Sequence, residues 1–106
     1  MNTPSIAVRE LIAESQERGR FNLTLRIGTP YPASDIDWAC PVAIEGLPHQ
    51  LADMHGVDSW QALMLAISLA RSQLEHFLER GGKLYWPGEE DSGPLSISEI
   101  LSRDAC

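Results

Sequence analysis

Two cysteines and three histidines carry the nucleophilic and metal-binding chemistry open to this chain, and their spacing decides how much of it is usable. A thiol nucleophile needs a base within hydrogen-bond reach, and the available pairing is Cys40 with His49 or His55. Cys40, however, falls between Trp38 and Val42 on the inward phase of a strand-like run, which describes a small buried hydrophobe. A metal site can be drawn from His49, Asp53 and His55, because alternate strand residues share a face and imidazole with carboxylate suits zinc. The His49-x5-His55 spacing matches no compact ligand motif, and Asp53 and His55 equally describe the wet side of a short edge strand. His76 reads as a solvated helix residue. Phosphate loops, dinucleotide-binding glycine patterns, zinc-protease motifs and nucleophile elbows are absent from the sequence. The acidic pairs Glu89-Glu90 and Asp35 with Asp37 sit on loops, where nothing suggests the burial that would raise a carboxyl pKa. No catalytic set, no metal and no cofactor is assigned, and the residues weigh against an enzyme.

Composition narrows the remaining classes. The chain has 106 residues, 43% of them hydrophobic and 22% charged, as expected for one globular domain spanning residues 1–106. Its net charge of -7 leaves eight scattered basic residues, too few and too dispersed for a nucleic-acid surface, while a basic protein partner is tolerated. No run approaches the roughly 18 apolar residues of a membrane span, and Met1–Ser5 lacks the basic and apolar regions of a signal peptide. A cytoplasmic location follows as the default, with Cys40 and Cys106 expected as reduced thiols and a bridge between them left open.

One long helix is the element that must position everything else. Asp58 can cap it through the N-H of Gln61, the Gln61 side chain can return to the Asp58 N-H, and Val57 with Ala62 can form a small staple. Arg80 in the last turn and Gly81 beyond it mark the stop. At 100° per residue, Trp60, Leu63, Met64, Ile67, Ala70, Leu74, Phe77 and Leu78 gather on one broad side, expected to face the core. Leu65 and Leu69, flanked by Ala62 and Ala66, fall on the side expected to be wet. Leaving the two leucines in water forgoes about 1.5 to 3 kcal/mol each, so something should cover them.

Around that helix the chain reads as strands. Ile6–Ser15 fits either a strand, with Ile6, Val8 and Ile12 on one face, or a helical stripe through Val8, Leu11, Ile12 and Ser15. The polar turn Gln16–Arg20 leading into Phe21–Ile27 favours strand, since the two then make a hairpin. Phe21, Leu23, Leu25 and Ile27 point one way and Asn22, Thr24 and Arg26 the other. Gly28–Asp35, with two prolines, is expected as a loop. Trp38–Glu45 alternates as one strand, with Trp38, Cys40, Val42 and Ile44 inward and Pro41 removing a ladder donor. Short strands are predicted within Gln50–His55 and at Lys83–Trp86, and Ser96–Glu99 resembles a capping box opening a brief terminal helix. The sum is an α+β fold: an antiparallel sheet of about four to five strands with one helix across one face, and Trp38, Trp60 and Trp86 meeting in or near the core.

Three motifs, Arg26-Ile27-Gly28-x-Pro30-Tyr31, Trp38-x-Cys40-Pro41-Val42 and Gly56-Val57-Asp58-Ser59-Trp60-Gln61-Ala62-Leu63, resemble a family of small bacterial proteins carried as a domain of unknown function. The resemblance covers most of the chain. It implies a bacterial, cytosolic, stand-alone domain, supports strand for the first segment and brings no activity. Two functional classes therefore remain. One is a homodimer or an acidic module binding another protein, through Ala62, Leu65, Ala66 and Leu69 on the outer helix face. The alternative is a small-molecule binder or enzyme with a pocket near Tyr31, Cys40, His55 and Trp60.

Overall fold

The structure, a computed structural model, describes residues 4–48 and 50–101. β1 (Ser5–Ser15) and β2 (Gly19–Gly28) form the expected hairpin, paired antiparallel from Ser5 opposite Gly28 to Ser15 opposite Gly19. The turn is possible because Gly19 takes a φ of 69°, a conformation that costs glycine nothing. On β2 the inward phase is the expected one, with Leu23, Leu25 and Ile27 buried. On β1 it is not: Leu11 and Ala13 are the buried residues, while Ile6 and Val8 stand 52% and 46% exposed.

Pro41 divides the single strand expected from Trp38 to Glu45. β4 (Asp37–Cys40) lies between β3 (Tyr31–Ser34) and β6 (Met54–Gly56) in a three-stranded sheet, whereas β5 (Val42–Glu45) joins a four-stranded sheet of order β5-β2-β1-β7, closed by β7 (Lys83–Tyr85). Both sheets are antiparallel. Having no N-H to place in a ladder, Pro41 suits the point where the chain leaves one sheet for the other. Its carbonyl accepts from the Gly28 N-H at 2.8 Å, and a Cβ on Gly28 would meet the Pro41 Cβ at 2.8 Å. The segment Gly28–Asp35 is likewise not all loop. β3 forms within it despite Pro32 because it is an edge strand with a neighbour on one side only.

The long helix, α1 (Ser59–Glu79), is capped by Asp58, whose carboxylate accepts from Gln61 N at 2.8 Å. The Gln61 side chain returns to Val57 N at 2.8 Å, one residue earlier than expected. The staple is absent, since Val57 is 71% exposed and Ala62 is fully buried. At the far end Gly81, at φ 95°, donates to Leu78 O, and Gly82 donates to Phe77 O, which together close the helix in a Schellman arrangement.

The face that α1 turns inward is rotated by roughly 70° from the expected one, as judged from 100° per residue. Ala62, Ala66, Ala70 and Leu74 are its buried residues, Leu63, Leu69, Phe77 and Leu78 pack partly against the core, and Trp60, Met64 and Ile67 face out. Small side chains at every fourth position let the helix backbone come down close to the sheet. At Gly56 the approach is such that a Cβ would meet Ala62 N at 2.6 Å. Trp60 therefore does not join the other tryptophans: Trp38 and Trp86 pack partly buried on the core while Trp60 is 74% exposed.

After β7 come a 3-10 turn (Glu90–Ser92) and α2 (Ile97–Leu101). The expected capping box forms, with Ser96 N donating to Glu99 Oε1 at 2.9 Å and Glu99 N to Ser96 Oγ at 3.3 Å. Ile100, 2% exposed, anchors α2 in the hydrophobic cluster that also holds Leu11, Leu23, Leu74 and Leu84.

Candidate functional site

Polar chemistry collects on the outer face of the three-stranded sheet. Tyr31, Ala39 and His55 are register partners across β3, β4 and β6, so their side chains share one face. Ala39 in the middle of the row is fully buried. The Tyr31 hydroxyl donates to Asp53 Oδ2 at 2.6 Å, and His55 Nδ1 lies 2.6 Å from Asp37 Oδ2. The Asp53 carboxylate, through that hydrogen bond first and desolvation second, pushes the Tyr31 phenol above its ordinary pKa, so Tyr31 is held as a donor and not as a base.

Cys40 belongs to the other side of this sheet. It pairs with Met54, one step from the Ala39–His55 pair, and consecutive strand residues point to opposite faces. Its thiol has no disulfide partner among the described residues, which do not include Cys106, and is fully buried and directed at Gly28 O at 3.4 Å. Burial first, then the charge of Asp53, raises its pKa, which removes the thiolate that nucleophilic chemistry requires. The candidate Cys40–His55 pairing, already weaker than burial in the sequence, is not formed, and His49 lies outside the described residues. Asp53 and His55 are committed to separate partners, and among the described residues no group of three or more His, Cys, Asp or Glu side chains could hold a metal ion.

Of the four expected pocket residues, Tyr31 and His55 share a face, Cys40 points into the core, and Trp60 stands on α1. An open groove of about 1260 Å³ lies elsewhere, between the hairpin turn at Ser15–Arg18, the Gly46–Pro48 corner and the last turns of α1 near His76 and Arg80. Phe21 and Phe77 meet edge to face in its lining, with ring centroids 6.2 Å apart. The Arg18 guanidinium covers Phe21 at 3.7 Å and donates to Gly46 O.

The second collection of features is apolar. Trp60, Met64 and Ile67 recur at helical spacing along one side of the start of α1, at 74%, 46% and 36% exposure, and Val57, just before the cap, is 71% exposed. Ile36, in the turn between β3 and β4, is 86% exposed. Exposed Asp58 borders the helix stripe, and the cation that continues it, Arg71, is held by Glu75 at 3.2 Å. Of the four residues expected at an interface, Ala62 and Ala66 are fully buried, Leu69 packs partly on the core, and Leu65 is half-buried. The bare stripe lies on the opposite flank. Its signal was the alanine spacing at residues 62, 66 and 70, which marks a close-packed face and so leaves the large residues beside it outside.

The family described as Domain of unknown function (DUF6968) matches residues 7–95, and the chain belongs to it. No curated protein and no solved structure matches the chain. No described helix is long and apolar enough to cross a membrane.

Proposed function

We propose that this member of the family is a non-catalytic protein-interaction module whose docking surface is formed by Val57, Trp60, Met64 and Ile67 at the start of α1. The observation that carries this reading is the exposure of those large apolar side chains at the start of α1, with Trp60 bare at 74%. Covering side chains of this kind is worth about 1.5 to 3 kcal/mol each, and an exposed tryptophan flanked by aliphatic residues has the make-up of an interface anchor. The partner is a basic protein segment. Asp58 borders the stripe and the chain carries a net charge of -7, so a cationic rim complements the surface, whereas a second copy there would set acid against acid.

The test is a photo-crosslinking residue at position 64, with the products identified by mass spectrometry. A basic protein whose crosslink is lost on Trp60→Glu and weakened by salt supports the reading. Crosslinks that reach only other copies of this chain, or that ignore Trp60→Glu, refute it.

A second reading, a small-molecule site on the outer face of the three-stranded sheet, draws on the Asp37–His55 and Tyr31–Asp53 pairs standing side by side. Its partners already satisfy one another, which leaves less for a ligand to complete. Crystal soaking with a fragment set that places no density over Ala39 would remove it.

A further inference from the structure

β1 is eleven residues long, but β7 pairs with it only at Ile12, Ala13 and Glu14. On that side the stretch from Ser5 to Leu11 has no ladder partner among the described residues. Residues 5–10 are exposed throughout, with Ile6 and Val8 the large apolar side chains among them and the Arg9 guanidinium lying over the Trp86 ring at 4.9 Å. Unpaired strand edges that carry apolar residues readily recruit another strand.

We infer that this edge pairs with the same edge of a second copy, antiparallel about a two-fold axis through Val8. Three features of the stretch choose a second copy as the occupant. Its midpoint is Val8, so self-pairing sets Ser5 opposite Leu11, Ile6 opposite Glu10, Ala7 opposite Arg9, and Val8 opposite the second copy's Val8. The next pair would bring Pro4 against Ile12, where β7 already occupies the edge, and Pro4 has no N-H to offer a ladder. The pairing thus stops where the edge is taken. Finally, no like charges face each other in this register: Arg9 meets alanine, Glu10 meets isoleucine, and the two exposed Val8 side chains meet at the axis.

The result is a continuous sheet through β5-β2-β1 of each copy, with each β7 lying end to end with the other copy's β1. A bulge between Ser5 and Ala7 bends the end of β1, so the ladder is short, from Ile6 to Glu10, and the dimer weak and dependent on concentration. This surface is separate from the helix stripe, so either can fail without the other.

Light scattering across a concentration series provides the first measurement, with Val8→Glu as the disrupting variant. Arg26 is the cross-strand partner of Val8, so the new carboxylate suits the fold while two of them repel at the axis. The expected outcome is a wild-type chain that approaches twice its monomer mass as concentration rises, a folded monomer for Val8→Glu, and an unchanged dimer for Trp60→Glu with Met64→Glu. The second measurement is Val8→Cys in a Cys106→Ser background. Directly opposite antiparallel residues have Cα atoms about 4.5 to 5.5 Å apart, inside the range of about 4.4 to 6.8 Å that a disulfide spans. Oxidation is therefore expected to link two chains through position 8 and not through an Asn22→Cys control on β2. A chain that stays monomeric at millimolar concentration, a dimer indifferent to Val8→Glu, or position 8 linking no faster than position 22 overturns the inference.

Discussion

Cys40 shows how little a residue type says without its surroundings. Its place between Trp38 and Val42 already pointed to burial, and the structure adds the opposite-face relation to His55 and the contact with Gly28 O. In a Cys106→Ser chain, a thiol reagent is expected to modify Cys40 only at the rate of global unfolding, so labelling should accelerate with denaturant in step with the loss of ellipticity. Immediate labelling of the folded protein would contradict the burial. Glu14 was invisible as a point of interest in the sequence because its partners come from separate elements. Its carboxylate accepts from Arg20 Nε at 3.3 Å and from the Tyr85 hydroxyl at 3.2 Å, and these bonds, Arg20 first, lower its pKa. A carboxyl with a depressed folded-state pKa stabilises the fold above its ordinary pKa and loses that contribution as pH falls through the folded value. Acid titration of the unfolding midpoint should therefore show a shallower decline for Glu14→Gln than for wild type, by a small margin because the pair is exposed.

At the scale of elements, the hairpin and the caps were legible and the sheet boundaries were not. Strict alternation from Phe21 to Ile27 fixes a strand with one buried face, and Asp58 with Gln61 fixes a helix start, because both depend on residues close in the chain. Pro41 was recognised as a missing donor, yet alternation from Trp38 to Ile44 runs through it unbroken, so nothing local reveals that the two halves serve different sheets. The facing of α1 failed for a related reason. Apolar residues cover so much of its circumference that periodicity admits several orientations, and the choice falls to backbone approach at Gly56 and Ala62. Gly56→Ala and Ala66→Leu are both expected to destabilise the protein by about 1 to 3 kcal/mol through overpacking, as measured by urea unfolding. If Ala66→Leu were neutral, the orientation of α1 described above would be wrong.

For the molecule as a whole, the helix orientation decides which apolar surface is spare. With Leu74 fully buried, Leu74→Ala is expected to cost about 2 to 5 kcal/mol, whereas Trp60→Glu and Met64→Glu should each shift stability by no more than about 0.5 kcal/mol, as substitutions outside the core do. Stability measurements on the three variants separate a core that includes Trp60 from a surface that displays it. The family match ends at residue 95, but Ile100 on α2 is buried against the same cluster as Leu74, so the packed unit runs beyond the matched span.

The sequence by itself determined the α+β composition, the β2 strand, both helix starts, the stop at Gly81 and the buried setting of Cys40, since each follows from neighbours a few residues apart, while for β1 it favoured strand without excluding helix. Tertiary structure alone decided that Pro41 sends the chain from one sheet to the other, that α1 turns its alanines inward, and that β7 covers less than half of β1. Those outcomes depend on which surfaces meet at a distance in the chain, where close packing selects one among several arrangements that local pattern permits equally.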